Sequence, residues 1–350
     1  MQIRELARGL KNANRGEVFA HRVQHLDGWL DRASAGVAGA TGYDHTATVK
    51  EYYDLCGPLM VFGWSTSLHF APLSPHESLE ESQTRHQRLM IAKLELSEGM
   101  TVVDVGCGIG GPMRRVVHEA GVRVVGLNNN EAQLDKARSL NAEAGLDHMV
   151  DYVACNFMDM GSIADQTFDR GYAIESTCHA PDKAAAFAEI HRVLRPGALF
   201  WGQEMCMTDK FDPGDSRHLA VKRDLMRGIA LKEIATFGDV NRALETAGFQ
   251  VIEGMDRAVG ANGRTTPWYQ PMETPRGTVG SALRRIPLGR RAVAAASRLA
   301  EVLTVLPRGT ADVIGLLDRT AKAYVAGGQT GLFTPLYCFL ARKPLSTPTG

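Results

Sequence analysis

The chain has 350 residues, with 39 Lys and Arg against 39 Asp and Glu, and 44% hydrophobic and 7% aromatic side chains. That length carries one large domain or two ordinary ones with a substantial core, and the balanced charge excludes the basic surplus of a dedicated nucleic-acid binder. No apolar run reaches the roughly 18 residues of a membrane-spanning helix, the N-terminal MQIRELARGLKNANRG lacks the apolar core of a signal peptide, and the six cysteines never form C-x-x-C, so a cytoplasmic protein with reduced thiols and no metal site is expected.

In chain order, residues 1–95 read as mostly helical, with Ile3, Leu6 and Leu10 at amphipathic spacing. From there strand and helix signals alternate, which predicts an α/β fold with a parallel, Rossmann-like sheet. Strands are expected at Met100–Gly106, Val122–Asn128, Asp151–Asn156, Phe168–Ser176 and Ala198–Glu204. The intervening helices are Gly110–Ala120, Glu131–Gly145 and Lys183–Leu194, the last stopped by Arg195-Pro196-Gly197. Past Asp212 the rhythm loosens. A helix at Asp239–Ala247 and a strand at Phe249–Met255 precede a long stretch whose only clear helix is Arg290–Leu306, and a last strand falls at Leu336–Lys343. The chain thus divides into a helical cap (1–95), a core (96–258), an insertion covering one face of the sheet (259–335) and a final strand and tail (336–350).

The most informative stretch is Val102–Gly111, VVDVGCGIGG. Gly106, Gly108 and Gly111 satisfy G-x-G-x-x-G, which alone would suit a dinucleotide. However, Asp104 lies inside the strand end, and the next strand closes on Asn128 without the carboxylate that holds the ribose diol of NAD. D-x-G-x-G-x-G, here Asp104, Gly106, Gly108 and Gly110, resembles the signature of S-adenosylmethionine-dependent class I methyltransferases. In that setting the glycines let the backbone pass close under the cofactor, while the acid organises the loop or meets the ammonium group. Asn128 would face the ribose hydroxyls, Asn156 the adenine amino group and Phe157 the adenine face.

A narrower resemblance runs from about residue 50 to 344. It is carried by Tyr52-Tyr53-Asp54, Gly63-Trp64, His69-Phe70, Asp104–Pro112 (DVGCGIGGP), Gly126–Asn130 (GLNNN), Tyr172–Pro181 (YAIESTCHAP), Met207–Phe211, Pro267-Trp268-Tyr269, Val325–Gly328, Leu332–Pro335 and Ala341–Pro344. These resemble the sterol 24-C-methyltransferases. The likeness implies an S-adenosylmethionine-dependent C-methylation of a sterol side-chain double bond through a carbocation, with the insertion and the N-terminal helices as a lid. It adds Tyr53, Ser65 and Gln133 as cofactor contacts. Where the family reads tyrosine, glutamate, tyrosine before Gly-Trp, this chain has Met60-Val61-Phe62. The acceptor could therefore be another polyprenoid or triterpenoid alkene, and a non-catalytic sterol-binding protein is the reading from another class.

Such chemistry needs a positioned alkene, aromatic faces for the developing cation and a weak base. Glu175 and His179, at the carboxyl edge of the fourth strand, are the expected acid–base groups, and Trp64 is the expected cation-facing ring. Phe62, His69, Phe70, Glu204, Trp268 and Phe333 are the expected substrate contacts. Charge is also segregated: residues 145–190 hold eight acidic and two basic side chains, whereas 276–308 hold seven arginines and one glutamate. With Ile286-Pro287-Leu288 and Val302-Leu303 beside those arginines, a peripheral contact with an anionic membrane is expected.

Overall fold

The apolar run Thr101–Val105 forms strand β1, buried along almost its whole length because parallel neighbours flank it on both sides. The other strands are β2 (Arg123–Asn128), β3 (Val150–Ala154), β4 (Phe168–Ile174), β5 (Leu194–Met207), β6 (Gln250–Asp256) and β7 (Phe333–Arg342). They make one sheet in the order β3-β2-β1-β4-β5-β7-β6. Strands β1 to β5 run parallel, and β7 lies antiparallel between β5 and β6. The order reverses between β1 and β4, so the carboxyl ends of those two strands open a crevice of the kind in which α/β sheets bind ligands. The computed structural model describes residues 10, 19–34, 44–259, 266–274 and 285–345. Ile3 and Leu6 lie outside the described residues, while Leu10 is fully buried.

Helices α1 (Phe19–Ser34), α2 (His45–Gly63) and α3 (Leu79–Lys93) precede the sheet. The core helices are α4 (Gly111–Ala120), α5 (Glu131–Glu143) and α6 (Lys183–Val193), followed by α7 (Ser216–Ile229) and α8 (Phe237–Thr246). Beyond β6 come α9 (Pro287–Val302) and α10 (Thr310–Thr330). Among the described residues no helix is long and apolar enough to cross a membrane.

Three expectations need correction. Helix α6 ends at Val193, and Arg195-Pro196-Gly197 belongs to β5 instead of terminating the helix. The pairing of β4 with β5 skips from Phe168↔Leu194 to Arg170↔Leu199, so an irregularity absorbs the proline and Gly197, whose φ is +80°. The loosened region past Asp212 contains the full helix α7, capped by Asp215 and ended by Ala230 in the left-handed region. The insertion does not lie flat over a face of the sheet: α10 packs chiefly on α7 and α9 and reaches the sheet at β7. Its buried residues Val313, Ile314 and Leu316 share a core with Leu26 and Leu30 of α1 and Leu55 of α2, which ties the two ends of the chain together.

Candidate active site

Two cavities meet at the crevice. The first, a cleft of about 110 Å³, is lined by Gly106 and Gly108 after β1, Asn128 at the end of β2, Asn156 and Phe157 after β3, and Gln133 on α5. One face of α2, with His45, Val49, Lys50 and Tyr53, closes it. Two glycines are dictated by geometry. Gly106 has φ +81°, and a Cβ there would stand 2.3 Å from the Cβ of Ser176. Gly108 has φ +53°, with nothing within 4 Å of the place a Cβ would occupy, so the backbone there borders open cleft. The amides are pre-arranged: Asn128 Nδ2 donates to Gln133 Oε1 at 2.8 Å, and Asn128 Oδ1 accepts from the Asn130 N–H at 3.1 Å.

The second cavity, about 210 Å³, lies between α2, the loop after it and the insertion. Phe62, Trp64, His69 and Phe70 line it together with Met60, Met205, Met272, Ile314, Leu317 and Tyr324, so it is chiefly apolar. The ring of Phe70 meets Trp64 edge-on at 5.1 Å and Tyr324 at 4.9 Å. His69 is held in one orientation by its Nδ1 contact with the Phe70 carbonyl at 2.7 Å and by Gln87 at 2.9 Å. Burial drives its pKa down to about 4, which makes it a neutral wall residue near pH 7.

Tyr53, Leu68 and Glu175 line both cavities. Glu175 follows β4 with φ +53°, a sparsely populated conformation for a residue with a side chain. Its N–H donates to the Gln203 carbonyl at 2.9 Å, which holds the backbone in place. Its Oε1 accepts from the Phe70 N–H at 2.6 Å and from Gln203 Nε2 at 2.7 Å. Gln203 is itself oriented by the buried His86, 2.7 Å from its Oε1. One carboxylate oxygen is therefore pinned, and among the described residues both of these bonds fall on Oε1, leaving Oε2 as the other oxygen of the group. Burial pushes the Glu175 pKa up to about 8, against the lowering effect of those two donors. His179 lines the cleft only, with Nε2 3.0 Å from the Tyr53 hydroxyl. Burial, with His45 and Lys183 nearby, lowers its pKa to about 3, so its ring is neutral.

Several sequence-derived site residues fall outside both linings. Asp104 is buried within β1 and accepts from the Tyr172 hydroxyl at 2.9 Å; burial raises its pKa to about 7. Gly110 is the left-handed N-cap of α4. Ser65 braces the loop after α2 through the Ser67 carbonyl at 2.6 Å and Gln83 at 2.9 Å. Glu204 is fully buried beneath the site, bonded to Thr177 and paired with Lys183 at 2.8 Å. Trp268 and Phe333 stand behind the cavity wall: Trp268 meets Phe70 at 5.1 Å, and Phe333 lies 5.9 Å from Tyr324. They hold the lining rings in place. Sequence reasoning missed Met205, Met272 and the α10 residues. Ile314, Leu317, Ala321 and Tyr324 recur at spacings of three, four and three, a helical stripe that could have flagged them. Among the described residues no group of three or more His, Cys, Asp and Glu is placed to hold a metal ion.

This strand order, with a glycine loop after β1 at the switch point, defines a class I methyltransferase, a class that uses S-adenosylmethionine. The lining fits such a group: side-chain amides for hydroxyl and amino groups, an aromatic face at Phe157 and open space over Gly108. Residues 103–202 match the model of a methyltransferase domain, and 281–345 that of a sterol methyltransferase C-terminal region. Cycloartenol-C-24-methyltransferase 1 of Oryza sativa subsp. japonica is 39% identical over 303 residues, 87% of each chain. The sterol 24-C-methyltransferase of Saccharomyces cerevisiae is 33% identical over 332 residues, 93% of this chain and 86% of the yeast protein. The chain belongs to the sterol 24-C-methyltransferase family. The crystal structure of a mycolic acid cyclopropane synthase complexed with SAH and CTAB shares the fold, with a TM-score of 0.67 at 20% identity over 86% of this chain and 99% of that one.

Proposed function

We propose that this enzyme transfers a methyl group from S-adenosylmethionine to the C-24 side-chain double bond of a sterol. The observation that carries this reading is the junction, where Tyr53, Leu68 and Glu175 wall both a polar cleft and an apolar cavity. Asn128, Gln133 and Asn156 would hold the cofactor's polar groups, Phe157 its base and the Gly106–Gly108 backbone its underside. When bound, S-adenosylmethionine supplies an electrophilic methyl group. The apolar cavity binds the rigid ring system and excludes water, which keeps a cation from being captured. Tyr53 and Leu68 align the side chain at the junction, which is catalysis by positioning. The rings of Trp64, Phe70 and Tyr324 present π faces to positive charge on the alkene carbons. A positive charge at the junction would favour the ionised form of Glu175 over the protonated one that burial favours, and in that form Oε2 accepts the proton whose loss restores a double bond. The acceptor dissolves in bilayers, so this reading includes peripheral contact with one.

The test is incubation with S-adenosylmethionine and a panel of side-chain-unsaturated sterols, followed by mass spectrometry. A product one methylene heavier is expected from sterols with a C-24 double bond. Turnover confined to a non-sterol alkene would overturn the acceptor. In the same assay system, Gly106→Ala should weaken S-adenosylhomocysteine binding by about 10- to 100-fold, because its Cβ must displace Ser176 and the backbone is strained. Calorimetric titration reads this directly, and an affinity equal to that of the parent would remove the loop from the binding site.

A further inference from the structure

We infer that the outward face of α9 docks onto an anionic lipid bilayer. Five of the ten exposed large hydrophobic side chains among the described residues fall between positions 288 and 305: Leu288 (74% exposed), Leu299 (61%), Val302 (80%), Leu303 (62%) and Val305 (49%). The concentration is ordered. Leu288, Ala292, Ala295, Leu299 and Val302 follow one another at steps of four, three, four and three, the spacing of a single helix stripe, and this stripe faces water. The helix does not lack an inner face: Arg290 and Val293 line the apolar cavity, and Ser297 is buried. A solvated outer face would carry polar groups at 288, 299 and 302, whereas this helix puts leucine, leucine and valine there.

The charges fit one occupant. Arg291 and Arg298, seven residues apart, are both exposed beside the stripe, and the exposed Arg308 follows. The one acidic side chain of this helix, Glu301, is turned inward, where it accepts from the Ala311 N–H at 2.6 Å. Apolar side chains flanked by arginines match the boundary between acyl chains and anionic headgroups. Because the other side of α9 walls the cavity, docking would set that cavity against the phase in which an apolar substrate dissolves. That purpose rests on the sterol reading; the contact itself does not.

The experiment is co-sedimentation of the full chain with vesicles of phosphatidylcholine alone or mixed with phosphatidylglycerol, with neither sterol nor cofactor present. Binding is expected to the anionic vesicles. A Leu299→Glu, Val302→Glu double variant and an Arg291→Gln, Arg298→Gln double variant should each bind at least about tenfold more weakly, with unchanged circular dichroism and unchanged S-adenosylhomocysteine affinity. Absence of binding by the parent chain, binding untouched by both variants, or a dimer in light scattering that either variant dissolves would overturn the proposal. A failed sterol assay would leave this result standing, and the reverse also holds.

Discussion

Replacing Glu175 with glutamine is expected to lower turnover by about a thousandfold, the scale of a positioned proton acceptor, while making the protein more stable. Glutamine keeps an oxygen that can accept from Phe70 and Gln203, so the geometry at the end of β4 survives. What disappears is the titration. Burial holds the folded-state pKa near 8, above the ordinary value of 4.5. Between those two values the folded chain retains a proton that the unfolded chain has released, so stability falls as pH rises through this window. A shift of that size costs on the order of 4–5 kcal/mol by pH 8. The variant should therefore match the parent near pH 4.5 and exceed it progressively toward pH 8, by several degrees in melting temperature. Binding of S-adenosylhomocysteine, which lacks the sulfonium charge, should change little. Parental turnover, or a melting difference that does not grow with pH, would take Glu175 out of the role proposed here.

The second large effect lies one layer below. Glu204 is fully buried, and its Oε2 is paired with Lys183 Nζ at 2.8 Å, while the same ammonium donates to the Thr177 carbonyl at 2.9 Å. Burial would lower the Lys183 pKa, but the Glu204 carboxylate, by its charge and its hydrogen bond, together with Cys178 and Cys206, outweighs it and the net change is upward. Lys183→Met leaves a carboxylate with no counter-ion in the interior, which should cost about 3–5 kcal/mol in denaturant unfolding. Glu204→Gln in that background removes the stranded charge and should recover most of the loss. The pair braces the Thr177–His179 turn directly after Glu175, so Lys183→Met should also reduce turnover. A destabilisation below about 1 kcal/mol, the scale of an exposed pair, would contradict this account.

The parts of the site legible in the sequence are those where local geometry dictates residue type. Gly106 must be glycine because of its φ and its contact with Ser176, and Asn128 and Asn156 sit where their strands end. Such constraints act over a few residues, so a motif can carry them. The apolar cavity is different: Met205, Met272, and Ile314 with Tyr324 converge from three separate elements, and nothing local distinguishes a lining ring from one directly behind it. Trp268 and Phe333 illustrate this, aromatic and adjacent to the wall yet one layer out. Glu204 and Asp104 were legible as carboxylates near strand ends, but whether they face a ligand depends on Lys183 and Tyr172, which only the folded chain brings to them. Helix α7 escaped notice because its inward residues Leu225, Met226 and Ile229 are crowded into its last two turns, leaving a polar first half.

The central claim is that an alkene in the apolar cavity meets the transferred methyl group at Glu175. The most direct measurement uses methyl-labelled S-adenosylmethionine with two sterols identical except that one has a C-24 double bond and the other a saturated side chain. The account predicts label on C-24 of the first and none in the second. Label on a ring hydroxyl of either sterol, or equal labelling of both, would contradict it.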